Sequence, residues 1–127
     1  VHGVAIRPGK PLVLAVWERT PVVILPGFPT SAAVTFLRFV APVLRLLAGH
    51  PRAEVLAAAG AHAAARLGVS TVADPGRLDV VLCHVVDDGD GAPRAFPLLK
   101  GSGAVTALAR ADGWIEVPAG RVQVPAG

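Results

Sequence analysis

Three stretches of the chain combine residue types suited to holding a small anion. The first is "LPGFPTSAAVTF", residues 25–36, where Pro26, Gly27 and Pro29 break strand-like text and Thr30 and Ser31 open an apolar helical pattern. Thr and Ser are favoured helix N-caps, and the free N–H groups and dipole of a helix start attract anions. The space beyond a strand's carboxyl end is also where open α/β sheets bind ligands. The second stretch is "RPGKP", residues 7–11, in which Arg7 and Lys10 flank a rigid turn. The third is "GSG", residues 101–103, preceded by Lys100. Each alone also reads as a plain turn or cap. The first two lie close in sequence and ask for the same ligand, so together they point to an oxyanion cradle.

Other reactive residues fit no such pattern. Cys83 and His84 are adjacent in a strand-like run, which sends their side chains to opposite faces, so Cys83 reads as a small core thiol. The carboxylates of "DDGDG", residues 87–91, lack the spacing of a calcium loop and read as a hairpin turn. His2, His50 and His62 show no ligand spacing. The chain contains neither a P-loop nor a GxGxxG fingerprint after a strand. Catalytic carboxylates are not identifiable, and no metal ligand is assigned.

The elements that must position the cradle follow from the pattern. Residues 1–7, 12–18 and 21–26 read as strands, the last continuous and β-branched like a buried strand of a parallel or mixed sheet. Apolar positions from Ala33 to Leu47 recur at helical spacing, with Pro42 predicting a kink near residue 41 and Gly49 a stop. The Ala-rich stretch 53–68 looks helical by propensity, although Gly60 interrupts it. Residues 78–86 and 94–99 read as a strand pair across the acidic turn, with Pro97 marking an edge or bulge. Residues 102–113 read as a short helix capped by Ser102, and 114–118 as a last strand. A boundary near residues 50–53 separates an α/β piece from a smaller, mainly β piece.

Composition narrows the function classes. The chain has 127 residues, 53% hydrophobic and 17% charged, enough for a core and too apolar for disorder. There is no Met, and the text opens straight into a strand, which suggests a piece of a longer protein. The net charge is +3, but the arginines are scattered and there is no Tyr, so nucleic acid is not expected. A single cysteine, Cys83, leaves no disulfide framework and suits a cytoplasmic setting. The most apolar stretch, residues 32–49, contains Arg38 and Arg45. Each arginine costs about 2.5–3.5 kcal/mol at a membrane centre, so a buried soluble helix is expected and no membrane partner.

At this level of detail the text resembles a known family. "AIRPGKP" followed by "ILPGFPTSAAVTFLRFVAPVLRLLAG" is similar to the MoeA/gephyrin-type molybdopterin molybdotransferases, whose usual text runs close to "KPGKP…LPGNPVSA…F". The later "GSGAVTALARADGWIEVPAGRVQVPAG" resembles their C-terminal domain, and the likeness covers nearly the whole chain. The resemblance implies that residues 1–50 end a MogA-like three-layer α/β domain and that 51–127 form a truncated, barrel-like C-terminal domain, with a strand where 54–66 looks helical. It implies an enzyme of molybdenum cofactor biosynthesis that inserts molybdate into adenylylated molybdopterin, with magnesium bound by upstream ligands and a homodimer formed through earlier domains. Carried over by motif, the molybdate and pterin positions are Lys10, Pro11 and Ser31, with the turn residues Pro26, Gly27 and Pro29 and, by a looser match, Arg77 and Ser102. Arg7 stands where the family usually has Lys, and Phe28 where it usually has Asn, which is reminiscent of a bacterial subgroup fused to a periplasmic-binding-protein-like domain. The family's upstream "TSGG.S.G..D" motif and its final strand are absent, so these residues alone should be inactive. A non-catalytic molybdate- or molybdopterin-binding sensor or scaffold is the alternative.

Overall fold

A computed structural model describes residues 1–87, 89, 91–98 and 104–127. The chain is mixed α/β, and one long strand organises it. β6 (Leu78–Val86) pairs in parallel with β1 (Ile6–Arg7) and antiparallel with β7 (Arg94–Pro97) and β8 (Gly113–Val117). β4 (Arg66–Leu67) joins in parallel with β7 and completes a five-stranded sheet. Covered along both edges and on both faces, β6 is buried from Asp79 to Cys83, which explains its unbroken apolar text. Alternation divides the core. Val80 packs with Ile6 and Val34 on one face, and Val81 packs with Ala73 and Val117 on the other. β5 (Thr71–Val72) and β9 (Gln123–Val124) form a short antiparallel pair. Among the described residues the sheets do not close into a barrel, so the barrel-like expectation narrows to an open mixed sheet.

β2 (Val13–Trp17) and β3 (Thr20–Ile24) form a separate antiparallel hairpin. Glu18 and Arg19 make its two-residue turn with φ of 45° and 71°, the left-handed pair that matches strand twist. The expectation of a buried third strand fails here. Every residue of β3 is exposed, because among the described residues β3 pairs with β2 alone and no layer covers it.

The helix after the cradle is one run, Pro29–Leu47, with a change of winding. α1 (Pro29–Thr35) passes into a π-helical turn, Phe36–Val40, and then into α2 (Ala41–Leu47). Pro42 has no N–H and its ring would meet the carbonyl of Arg38 in a regular helix. The wider turn, with the Ala41 N–H donating to the Phe36 carbonyl, places Pro42 at the start of a new helical segment. By length and composition this run could cross a membrane. Its buried residues are confined to α1, against the expectation of a buried helix throughout. Arg38 ties it to the sheet through Glu116, Nη1 to Oε1 at 2.5 Å, and Trp114 Nε1 donates to the same oxygen at 3.1 Å.

α3 (Arg52–Ala59) stops at Gly60, and residues 61–65 are irregular. The helix expected over 53–68 is therefore half its predicted length. Only Val55 is buried on α3, so nothing drives the Ala-rich text to continue. The Arg66 N–H instead donates to the Pro93 carbonyl at 2.8 Å as the chain enters β4. α4 (Val105–Arg110) precedes β8, which Gly113 opens.

Candidate functional site

The two turns singled out in the sequence meet. A cavity of about 530 Å³ lies between the β1–β2 turn and the start of α1. Lys10 and Pro11 line it from one side, and Pro26, Gly27 and Ser31 from the other. Pro8, Gly9 and Phe28 complete the wall; the sequence reading offered none of them as a binding residue, although all three sit inside the quoted motifs and Phe28 stood out as a departure from the family's Asn. Pro26 and Ser31 are buried, whereas Lys10, Gly27 and Phe28 are exposed, so the cavity has a fixed floor and a cationic rim.

The β1–β2 turn is held on several sides. The Leu12 N–H donates to the Gly9 carbonyl at 3.1 Å, and the Val4 N–H to the Lys10 carbonyl at 3.0 Å. Gly9 has φ of +126° and lies so close to Thr35 that a Cβ there would collide with the threonine methyl. Thr35 is itself fixed, its hydroxyl donating to the Ser31 carbonyl at 2.7 Å.

The helix start differs from the expected cap. α1 begins at Pro29, Phe28 is the capping position, and no side chain caps it. Thr30 and Ser31 therefore lie inside the first turn, and the Thr30 hydroxyl reaches instead to the Ala104 carbonyl at 3.5 Å. Pro29 suits the first helical position because its missing N–H is not needed there. The N–H groups of the first turn are left without a side-chain acceptor, which suits an anion.

Arg7 does not join Lys10 on the cavity wall. Its Nε donates to Asp79 Oδ1 at 3.1 Å and its Nη2 to Asp79 Oδ2 at 2.6 Å, and Nη1 also pairs with Asp74. Asp79 is 2% exposed. Stripping a buried carboxylate of its partner costs about 3–5 kcal/mol, more than the about 1.5–3 kcal/mol of one hydrogen bond to a charged group. Arg7 thus stays on Asp79. Arg77 sits in the turn before β6 and does not line the cavity either, nor does Pro29. Lys100 and Ser102 lie outside the described residues.

The remaining reactive groups sit elsewhere. Cys83 is buried and His84 exposed, on opposite faces as expected. His84 Nδ1 lies 2.6 Å from Asp112 Oδ2, and the Val85 N–H donates to that oxygen at 2.8 Å. The Val85 bond first, and His84 second, hold the Asp112 carboxyl below its ordinary range. Burial, aided by the Asp112 charge, pushes the Cys83 thiol up. Since thiolate is the reactive form, iodoacetamide should label Cys83 slowly in the native protein and quickly after unfolding in urea. Rapid native labelling, followed by mass spectrometry, would contradict this placement. Among the described residues no three His, Cys, Asp or Glu side chains cluster to hold a metal. The magnesium implied by the resemblance finds no ligand set among them.

Comparison with known proteins agrees with this architecture. The family described as "MoeA C-terminal region (domain IV)" matches residues 64–127, and that described as "Probable molybdopterin binding domain" matches residues 1–46. The molybdopterin molybdenumtransferase of Nostoc sp. is 48% identical over 52 residues, 39% of this chain and 12% of its own length. A Methanocaldococcus jannaschii protein named for molybdopterin biosynthesis is 32% identical over 118 residues, 93% of this chain and 25% of its own. The crystal structure of a molybdopterin biosynthesis MoeA protein from Pyrococcus horikoshii superposes with a TM-score of 0.74 at 35% identity, covering 100% of this chain and 29% of that one. The chain spans a quarter or less of the length of these curated relatives. On these matches the chain belongs to the MoeA family of molybdenum cofactor biosynthesis.

Proposed function

We propose that this chain is the C-terminal part of a molybdopterin molybdotransferase, which inserts molybdate into adenylylated molybdopterin as the adenylyl bond is hydrolysed. The observation that supports this most directly is the cavity lined by Lys10 on one side and by Ser31, in the uncapped first turn of α1, on the other. A cationic rim and uncapped N–H groups suit a tetrahedral oxyanion such as molybdate. Lys10 supplies the charge, Ser31 lines the floor, and Pro26, Gly27 and Pro11 shape the walls. In this reading the carboxylates, the magnesium ligands and the dimer contacts belong to earlier domains, and the protein works in the cytoplasm.

The test supplies the full-length protein with adenylylated molybdopterin and molybdate and follows AMP release. Molybdate-dependent release by the full-length protein, with none from residues 1–127 alone, is the expected result. Molybdate binding without AMP release would instead favour a sensor or scaffold. Release of AMP by the 127 residues would refute the assignment of catalysis to earlier domains.

A further inference from the structure

We propose that Asp79 is a positioning residue for the oxyanion cavity, acting through Arg7. The inference rests on the cavity being the molybdate site, and it concerns a residue far from that cavity in sequence. Asp79 belongs to β6, the central strand, and is paired in register with Arg7 of β1. The planar guanidinium meets both carboxylate oxygens, a two-point contact that fixes orientation as well as distance. Asp74 occupies the remaining terminal nitrogen.

Arg7 leads directly into the turn that carries Lys10. Beyond Arg7, the turn is pressed onto α1 at Gly9, where no side chain fits against Thr35. The turn is therefore held at two points, at Arg7 by Asp79 of the sheet and at Gly9 by its contact with Thr35 of the helix, and Lys10 follows immediately after the second. Two aspartates more than neutralise Arg7, so it lends the cavity no cationic field, and Lys10 is the cation that lines it. In this way the sheet bearing β6 sets the height of Lys10 above the first turn of α1.

The experiment is calorimetric titration of the full-length protein with sodium molybdate, well below the unfolding temperature. Asp79→Asn keeps the shape and removes the charge, while Arg7→Gln removes both the charge and the planar fork. Each should weaken molybdate binding about tenfold, as small displacements of a positioned group do, although neither side chain touches the cavity. If Asp79→Asn does not fold, Arg7→Gln carries the same test. Should Lys10→Ala weaken binding while both anchor variants lose only thermal stability and bind like the parent, the positioning role is overturned and the cavity assignment stands. Should Lys10→Ala also bind like the parent, the cavity assignment itself fails.

Discussion

Replacing Lys10 by alanine in the full-length protein is expected to weaken molybdate binding by about 10- to 100-fold, the loss of one hydrogen bond to a charged group at about 1.5–3 kcal/mol. Lys10 is exposed at the rim, and its backbone already satisfies the turn through the Val4 N–H. The unfolding temperature should therefore hardly move, which separates loss of the ligand from loss of the fold. Lys10→Arg should retain most of the affinity, because an oxyanion accepts either cation. Raising the salt concentration should weaken the parent more than Lys10→Ala, since the exposed charge is screened. Calorimetric titration at two ionic strengths reads all of these. Unchanged affinity in Lys10→Ala would remove the lysine from the anion site and with it the main support for the proposed function.

The cavity was legible because its parts carry local signals. Pro and Gly punctuate both turns, and the apolar period after Ser31 requires a helix there. That two such turns meet is not a local property, and only their shared preference for an anion suggested it. The fate of Arg7 was invisible for the same reason. Its partners Asp74 and Asp79 lie in a different stretch of chain, joined to it by the parallel pairing of β1 with β6. A charged residue beside a candidate anion site reads as a ligand until a buried carboxylate is found facing it.

Other departures have equally specific causes. β3 reads as buried because valine and isoleucine dominate it, but burial depends on a covering layer that lies in no part of the described chain. The β2–β3 hairpin escaped notice because Glu18 and Arg19 adopt positive φ without the usual Asn-Gly signal. β5 and β9 are two residues each, too short for any period to show. The strand β6 was read correctly to the residue, since a run buried on both faces needs no alternation to be recognised.

Gly9→Ala should be the more damaging change for the fold around the site. At φ of +126° a side chain is strained whatever the surrounding space, a cost of about 1–3 kcal/mol. The added methyl would also collide with the Thr35 side chain, and overpacking of this kind typically costs about 1–3 kcal/mol more. Thr35 has little room to yield. It is fully buried, and its hydroxyl is committed to the Ser31 carbonyl. The turn must lift away from α1, taking Lys10 with it, so both stability and molybdate affinity should fall together. That coupling distinguishes Gly9→Ala from Lys10→Ala, which should affect affinity alone. The two costs can be separated by a double-mutant cycle with Thr35→Ala, which removes the methyl that Gly9→Ala would strike. In that background Gly9→Ala should cost less, the remainder being backbone strain. Urea unfolding of the four proteins measures the cycle. Strict additivity would mean that Gly9 is required for its backbone conformation alone, and that its contact with α1 does not set the height of the turn.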